Sequence, residues 1–211
     1  MEHEIKLTWL GHSCFKIESS GYSAVLDPYE DQSVPGFPAL RTEANAVYCS
    51  HSHHDHDFRD GVRLTAASCS NPFRITEITC PHDDAGGSKR GMNTIRIFDE
   101  GTLRVAHFGD IGCPLPAEDL KQLTGLDAVM IPVGGFFTME PAGIAALLQK
   151  IQPRVVIPMH YRSDTFGYDK IGRLEAFLAY CTNVRYYDTD EITITKALEA
   201  QAAVLAFQPR Q

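Results

Sequence analysis

Nine consecutive residues concentrate much of the donor chemistry of this chain. Residues 49–57 read Cys49-Ser50-His51-Ser52-His53-His54-Asp55-His56-Asp57 and contain four histidines and two aspartates. Imidazole together with carboxylate suits zinc, manganese or iron. His51 and His53 are one residue apart, and in extended chain residues i and i+2 point the same way, so both rings can reach one ion. Asp55 and His56 follow, and a tight loop can turn both toward a neighbouring point. The pattern is H-x-H-x-D-H at 51, 53, 55 and 56, directly after an apolar run, where loops of layered folds carry function. A solvated histidine-rich loop is the bland alternative, and the spacing disfavours it.

One cluster cannot complete two metal shells. Three further residues are metal-competent and each lies just past an apolar run: His82 in Cys80-Pro81-His82-Asp83, Asp110 in His107-Phe108-Gly109-Asp110, and His160 in Ile157-Pro158-Met159-His160-Tyr161. Taken singly, each reads as an ordinary loop residue. With the cluster they make five histidines and two aspartates.

The elements that must position these residues are mostly short strands. Runs of β-branched and apolar residues predict strands at 5–10, 13–18, 22–26, 46–49, 73–79, 94–98 and 103–108, with a polar, glycine-rich loop at 83–91. The second half changes rhythm. Helices are expected at 116–123, from a Thr138 cap to about 151 with Pro141 in the first turn, and at 170–180. Strands are expected at 128–132, 155–158, 184–187 and 192–195. This mixture implies a layered α/β or α+β fold in a single domain spanning 1–211.

Bulk properties narrow the partners. The chain has 211 residues, is 44% apolar and 22% charged, and carries a formal charge of −8. That charge makes nucleic acid or an anionic membrane a poor partner. No run of 18 apolar residues and no signal-like apolar segment near the N-terminus is present. The six cysteines (Cys14, Cys49, Cys69, Cys80, Cys113, Cys181) form no C-x-x-C pair, which suits reduced thiols and a cytoplasmic setting. Edge strands could support a homo-oligomer.

The residues above, with Leu10-Gly11-His12-Ser13, Leu26-Asp27-Pro28 and Ile131-Pro132-Val133-Gly134-Gly135, carry a family resemblance over nearly the whole chain. The sequence resembles the metallo-β-lactamase superfamily. Gly-His-Ser and Pro-Met-His-Tyr resemble its L-ascorbate-6-phosphate lactonase-like branch. The resemblance implies a four-layer αββα sandwich with metals at one edge of the two sheets. It also implies a ligand division: His51, His53 and His82 on one divalent ion, Asp55, His56 and His160 on the other, and Asp110 between them. Zinc or manganese is expected, with iron as a third option. His54 falls at a variable position and reads as a bystander.

Other residues keep two readings. Asp27 either accepts from a ligand histidine's second nitrogen or starts a turn before Pro28. His12 is a catalytic candidate at the site rim, or a structural hydrogen-bonding histidine. His107 reads as packed. Lys89 and Arg90 either hold an anion or face solvent. Phe136, Phe137 and Tyr161 are candidate pocket walls, with core packing as the competing reading for the two phenylalanines.

Two such ions, about 3.5–4 Å apart, hold a hydroxide available at neutral pH. Asp55 would bind metal and orient that nucleophile. The ions outweigh Asp55, Asp110 and the hydroxide, which favours a small anionic substrate. The expected activity is hydrolysis of a lactone or a phosphoester. The alternatives are a phosphodiesterase of the same fold and a non-catalytic metal-binding protein. A di-iron oxidoreductase of this fold typically carries glutamate where this chain has His53, and adds a flavin domain. A tRNA-processing nuclease is disfavoured by the charge, and a β-lactamase by the lack of a secretion signal.

Overall fold

The structure, a computed structural model, describes residues 3–209. It opens with an antiparallel meander, β1 (Ile5–Gly11), β2 (Cys14–Ser19) and β3 (Tyr22–Leu26). Alternation sets its two faces. Leu7 pairs with Ile17 and Trp9 with Phe15, and all four are buried. On the other face Lys6 pairs across from Glu18 and bridges to Glu191, while Lys16 also bridges to Glu18.

The next short elements are β4 (Thr42–Ala44), β5 (Ala46–Tyr48), a single 3-10 turn (Arg59–Gly61) and β6 (Val62–Leu64). Strands β7 (Arg74–Pro81), β8 (Met92–Asp99) and β9 (Arg104–His107) form a second antiparallel run. There follow α1 (Ala117–Gln122), β10 (Ala128–Pro132), α2 (Pro141–Ile151), β11 (Val155–Met159), α3 (Leu174–Leu178), β12 (Val184–Tyr186), β13 (Glu191–Ile194) and β14 (Gln201–Val204).

These strands make a five-stranded sheet, β13-β1-β2-β3-β5, a seven-stranded sheet, β12-β14-β11-β10-β9-β8-β7, and a small β4-β6 pair. The two large sheets share one apolar core, with Phe15 near His107 and Tyr48 against Phe98. Every residue of β10 is buried, as expected for a central parallel strand covered on both faces. The fold is therefore the expected α/β sandwich. Its helices are few and unevenly placed: α1 touches α2 and α2 touches α3, whereas the charged ladder of Lys6, Lys16 and Glu18 faces outward from the five-stranded sheet.

Pairing direction explains why distant residues meet. Strands β1 and β3 both run antiparallel to β2, and β5 runs parallel to β3, so the three share a direction. In the other sheet β7 and β9 both run antiparallel to β8, and β9, β10 and β11 are parallel. His12, Asp27 and the 51–56 cluster follow β1, β3 and β5. His82, Asp110 and His160 follow β7, β9 and β11. Each set lies beyond the C-terminal ends of like-directed strands.

Two helix expectations need correction. Thr138 does not cap α2: the cap is Glu140, and Pro141 opens the helix with its fixed φ. Thr138 is buried instead, and the Met139 N–H is tied to the Ile111 carbonyl at 2.9 Å. The helix expected over 170–180 is only Leu174–Leu178. Gly172 donates to the Gly134 carbonyl and accepts from the Arg162 N–H, and Arg173 bridges to Arg162, which keeps these residues out of the helix. Strands β4, β6 and β14 were not legible: two are three residues long, and β14 contains two alanines where a strand usually shows β-branched residues.

Candidate metal centre

Asp27 organises the cluster from behind. It is buried directly after β3 with φ 47°, and its Oδ1 accepts the Ser50 N–H at 2.6 Å. Its Oδ2 accepts the Ser50 hydroxyl at 2.5 Å and faces His56 Nδ1 at 2.8 Å. The hydroxyl proton is thus committed to Asp27, so Ser50 Oγ is left to accept from His51 Nδ1 at 2.8 Å. This network places a proton on Nδ1 of both rings. It leaves His51 Nε2 and His56 Nε2 buried without a hydrogen-bond partner. Asp27 was one of two readings in the sequence, and the accepting role is the one seen. Burial alone would raise its pKa, yet His107, His56 and Ser50 together hold it down at about 2.

Asp110 supplies the centre. Its Oδ2 lies 3.3 Å from His56 Nε2, 3.4 Å from His82 Nε2 and 3.3 Å from His160 Nε2, and its Oδ1 has no partner. It is buried, which would raise its pKa, but His160 and His56 hold it well below the usual carboxylate range. Asn93 fixes the position. The Asp110 N–H donates to Asn93 Oδ1 at 2.8 Å, while Asn93 Nδ2 donates to the Phe108 carbonyl at 2.9 Å. No sequence pattern singles out Asn93, because it lies on a separate strand 17 residues upstream.

Two groups of potential ligands emerge. His51, His53 and His82 have donor atoms within 4.8 Å of one another, as do His12, Asp55, His56 and His160. Ring centroids of His51 lie 4.6 Å from both His53 and His82. All seven residues singled out as ligands therefore converge. Burial lowers the His51 pKa to about 3, keeping its imidazole neutral and its lone pair available. His56 behaves oppositely: burial disfavours its charged form, but Asp110, Asp55 and Asp27 hold its pKa well above the ordinary value. Three buried carboxylates around unpartnered imidazole nitrogens call for compensating positive charge. That donor set fits divalent transition-metal ions.

His12 is not at the rim. It is fully buried beneath the site with φ 51°, its ring 4.2 Å from that of His160 and its Nε2 3.4 Å from Asp55 Oδ2. Its carbonyl accepts from Trp9 Nε1 at 2.9 Å, which ties the turn to the core. Burial and the nearby His160 bring its pKa to about 4, so it is neutral at pH 7. His107 is packed as expected, with Nε2 donating to the Ser13 carbonyl at 2.8 Å.

Above the ligands opens a cavity of about 300 Å3. Its wall corrects several expectations. His54 lines it rather than standing aside, and Arg90 lines it while Lys89 pairs outside with Asp84 at 2.7 Å. Phe137 belongs to the wall. Tyr161 does not; it is buried and stacked on Trp9 at 5.7 Å. Tyr168, which carried no sequence signal, takes the expected place. Its hydroxyl donates to Asp55 Oδ2 at 3.3 Å, and burial raises its pKa so that it stays protonated.

A sandwich of two sheets with a histidine–aspartate cluster at one edge defines a metal-dependent hydrolase of metallo-β-lactamase fold. The chain belongs to the family described as the β-lactamase superfamily domain, whose sequence profile matches residues 6–160. It is 27% identical over 195 residues to a protein named UPF0173 metal-dependent hydrolase from Desulforamulus reducens, covering 75% of this chain and 85% of the relative. Among solved structures it is similar to a metallo-β-lactamase superfamily protein of Thermotoga maritima. There the TM-score is 0.74 at 22% identity, covering 97% of this chain and all of the other. A metallo hydrolase from Ignicoccus hospitalis matches with a TM-score of 0.56 at 22% identity, over 75% of this chain and 83% of that one. Among the described residues no helix is long and apolar enough to cross a membrane.

Proposed function

We propose that the protein hydrolyses a small anionic substrate, a lactone or a phosphoester, with two divalent cations held at this edge. His51, His53 and His82 would hold one, Asp55, His56 and His160 the other, and Asp110 would stand between them. Zinc and manganese suit the set best, and iron is compatible. The observation that supports this reading most directly is Asp110 Oδ2, equidistant from three imidazole nitrogens drawn from both groups. When bound, such ions supply Lewis acidity and a nucleophilic water at neutral pH.

The chain's own residues have separable roles. Asp27 and Ser50 set the tautomers of His56 and His51. Asp55 takes a proton donor from Tyr168 on one side and faces neutral His12 on the other, so its carboxylate is oriented from two directions. His12 acts through Asp55 and is a positioning residue. Phe137 and Tyr168 form part of the cavity wall. Six free cysteines suit a reducing, cytoplasmic setting.

Elemental analysis of the protein as purified, followed by rates on a panel of lactones and phosphodiesters with manganese or zinc restored, tests the reading. Metal near two ions per chain and turnover of one class are expected. Asp110→Ala should lose at least one ion and about 100-fold or more in rate while keeping its circular dichroism. A metal-loaded wild type inert to the whole panel would support the non-catalytic alternative instead.

A further inference from the structure

The cavity has a cationic side that the metal chemistry does not use. Arg90 lies over the ring of Phe137, 5.5 Å from its centroid, and both line the cavity beside His53 and His82. Phe136 packs edge-on against Phe137 at 4.8 Å, and the Lys170 ammonium lies 5.5 Å from the Phe136 centroid. Among the described residues neither cation has a carboxylate partner. Among the described residues Lys121 and Lys150 lack one too, but neither lines the cavity, whereas Arg90 does. Lys89 pairs with Asp84, and Arg41, Arg74, Arg96 and Arg154 each hold an aspartate or glutamate. In a chain of net charge −8, an unpaired cation in the cavity wall, with a second over the ring that packs on Phe137, leaves room for an anion.

Arg90 is also delivered by a built loop. Asp83 Oδ1 accepts the N–H groups of Ala85 and Gly87 at 2.8 and 2.9 Å, and its Oδ2 accepts those of Lys89 and Arg90 at 2.9 and 2.8 Å. The loop closes where the His82 N–H bonds the Gly91 carbonyl at 3.0 Å. The same two-residue step therefore carries a potential metal ligand, His82, and the carboxylate that aims Arg90. On the facing loop Phe136 sits at φ 60°, with its N–H held by Glu140 Oε1 at 3.0 Å. A guanidinium already stacked and a loop already ordered lose little freedom on binding.

We propose that Arg90, backed by Phe137 and assisted by Lys170, is the oxyanion anchor of the pocket. It binds a carboxylate or phosphoryl group of the substrate distinct from the bond that is cleaved. The substrate class is then a small molecule with two polar ends, one at the histidine–aspartate cluster and the other a free oxyanion. The anchor rests on the hydrolase reading only for what happens at the first end. Asp83 is a positioning residue for Arg90.

The test is binding of glutarate, 3-phosphonopropanoate and butyrate to the manganese-loaded protein by titration calorimetry. Butyrate presents one carboxylate, and the other two add a second oxyanion across a short spacer. At least one two-ended probe should bind about tenfold more tightly than butyrate. The Arg90→Met, Lys170→Met double variant keeps apolar stems on the phenylalanines and should bring that preference within about twofold. Lys121→Met, an exposed cation on α1, should leave it unchanged. A glutarate preference points to a carboxylate substrate and a phosphonate preference to a phosphoryl one. Equal binding of all three probes by the wild type, or a preference that survives in the double variant, overturns the anchor. The titration needs no turnover, so an inert hydrolysis panel counts against the hydrolase reading and not against the anchor.

Discussion

Asp27 shows how one residue sets the state of several others. Its carboxylate is buried, accepts from Ser50 twice and meets His56. Its folded pKa, about 2, lies below the ordinary aspartate value of 3.8. A depressed carboxylate contributes stability that is fully present above its unfolded pKa and is lost as pH falls through the folded one. Asp27→Asn should therefore cost about 3–5 kcal/mol near neutrality, the scale of breaking a buried charged pair. The gap from wild type should narrow as pH drops from 5 toward 2. Denaturant melts of both proteins across that range check the sign, and a gap independent of pH would contradict it. The residue itself was legible in Leu26-Asp27-Pro28, but its partners were not. Ser50 and His56 are 23 and 29 residues away, and no local rule pairs them.

At the scale of elements, the site depends on how tightly strand ends turn. The residue after Phe108 must bring Asp110 back over the sheet edge, and Gly109 does so with φ 51°. A Cβ there would run into Asn93 Oδ1 and the Ser50 side chain. Gly109→Ala is expected to destabilise the fold by about 1–3 kcal/mol through overpacking and to weaken metal retention with it. Thermal melts and metal content of the variant provide the check, and unchanged values in both would show that the turn has slack. The strands themselves were largely legible from β-branched runs. The helices were less so, because Pro141 restarts α2 two residues past Met139, and Gly172 is claimed by Gly134 across the fold. Tertiary hydrogen bonds there outweigh local helical preference.

For the whole molecule, the cluster is the place where two sheets must be held together despite their buried charge. Unpartnered nitrogens of His51 and His56 and the unpaired Oδ1 of Asp110 are buried at that junction. Cations bound there stabilise by mass action, about 2.7 kcal/mol when free metal exceeds Kd a hundredfold. Chelation should lower the melting temperature, zinc or manganese should restore it, and calcium, which prefers oxygen shells, should not. Scanning calorimetry with and without chelator decides, and a melting temperature indifferent to all of them would count against metal occupancy.

The sequence by itself determined the kind of chemistry available. The H-x-H-x-D-H spacing, with His82, Asp110 and His160 after apolar runs, holds donor types that local composition can display, and all seven converge. The alternation of its strands likewise determined a layered α/β fold. Only the tertiary structure decided which neighbours serve the site: Asn93 behind Asp110, Tyr168 instead of Tyr161, Arg90 instead of Lys89, and His12 buried rather than on the rim. The physical reason is that spacing constrains side chains only within one segment. These choices are made where like-directed strands from two sheets end together, and that meeting depends on long-range pairing.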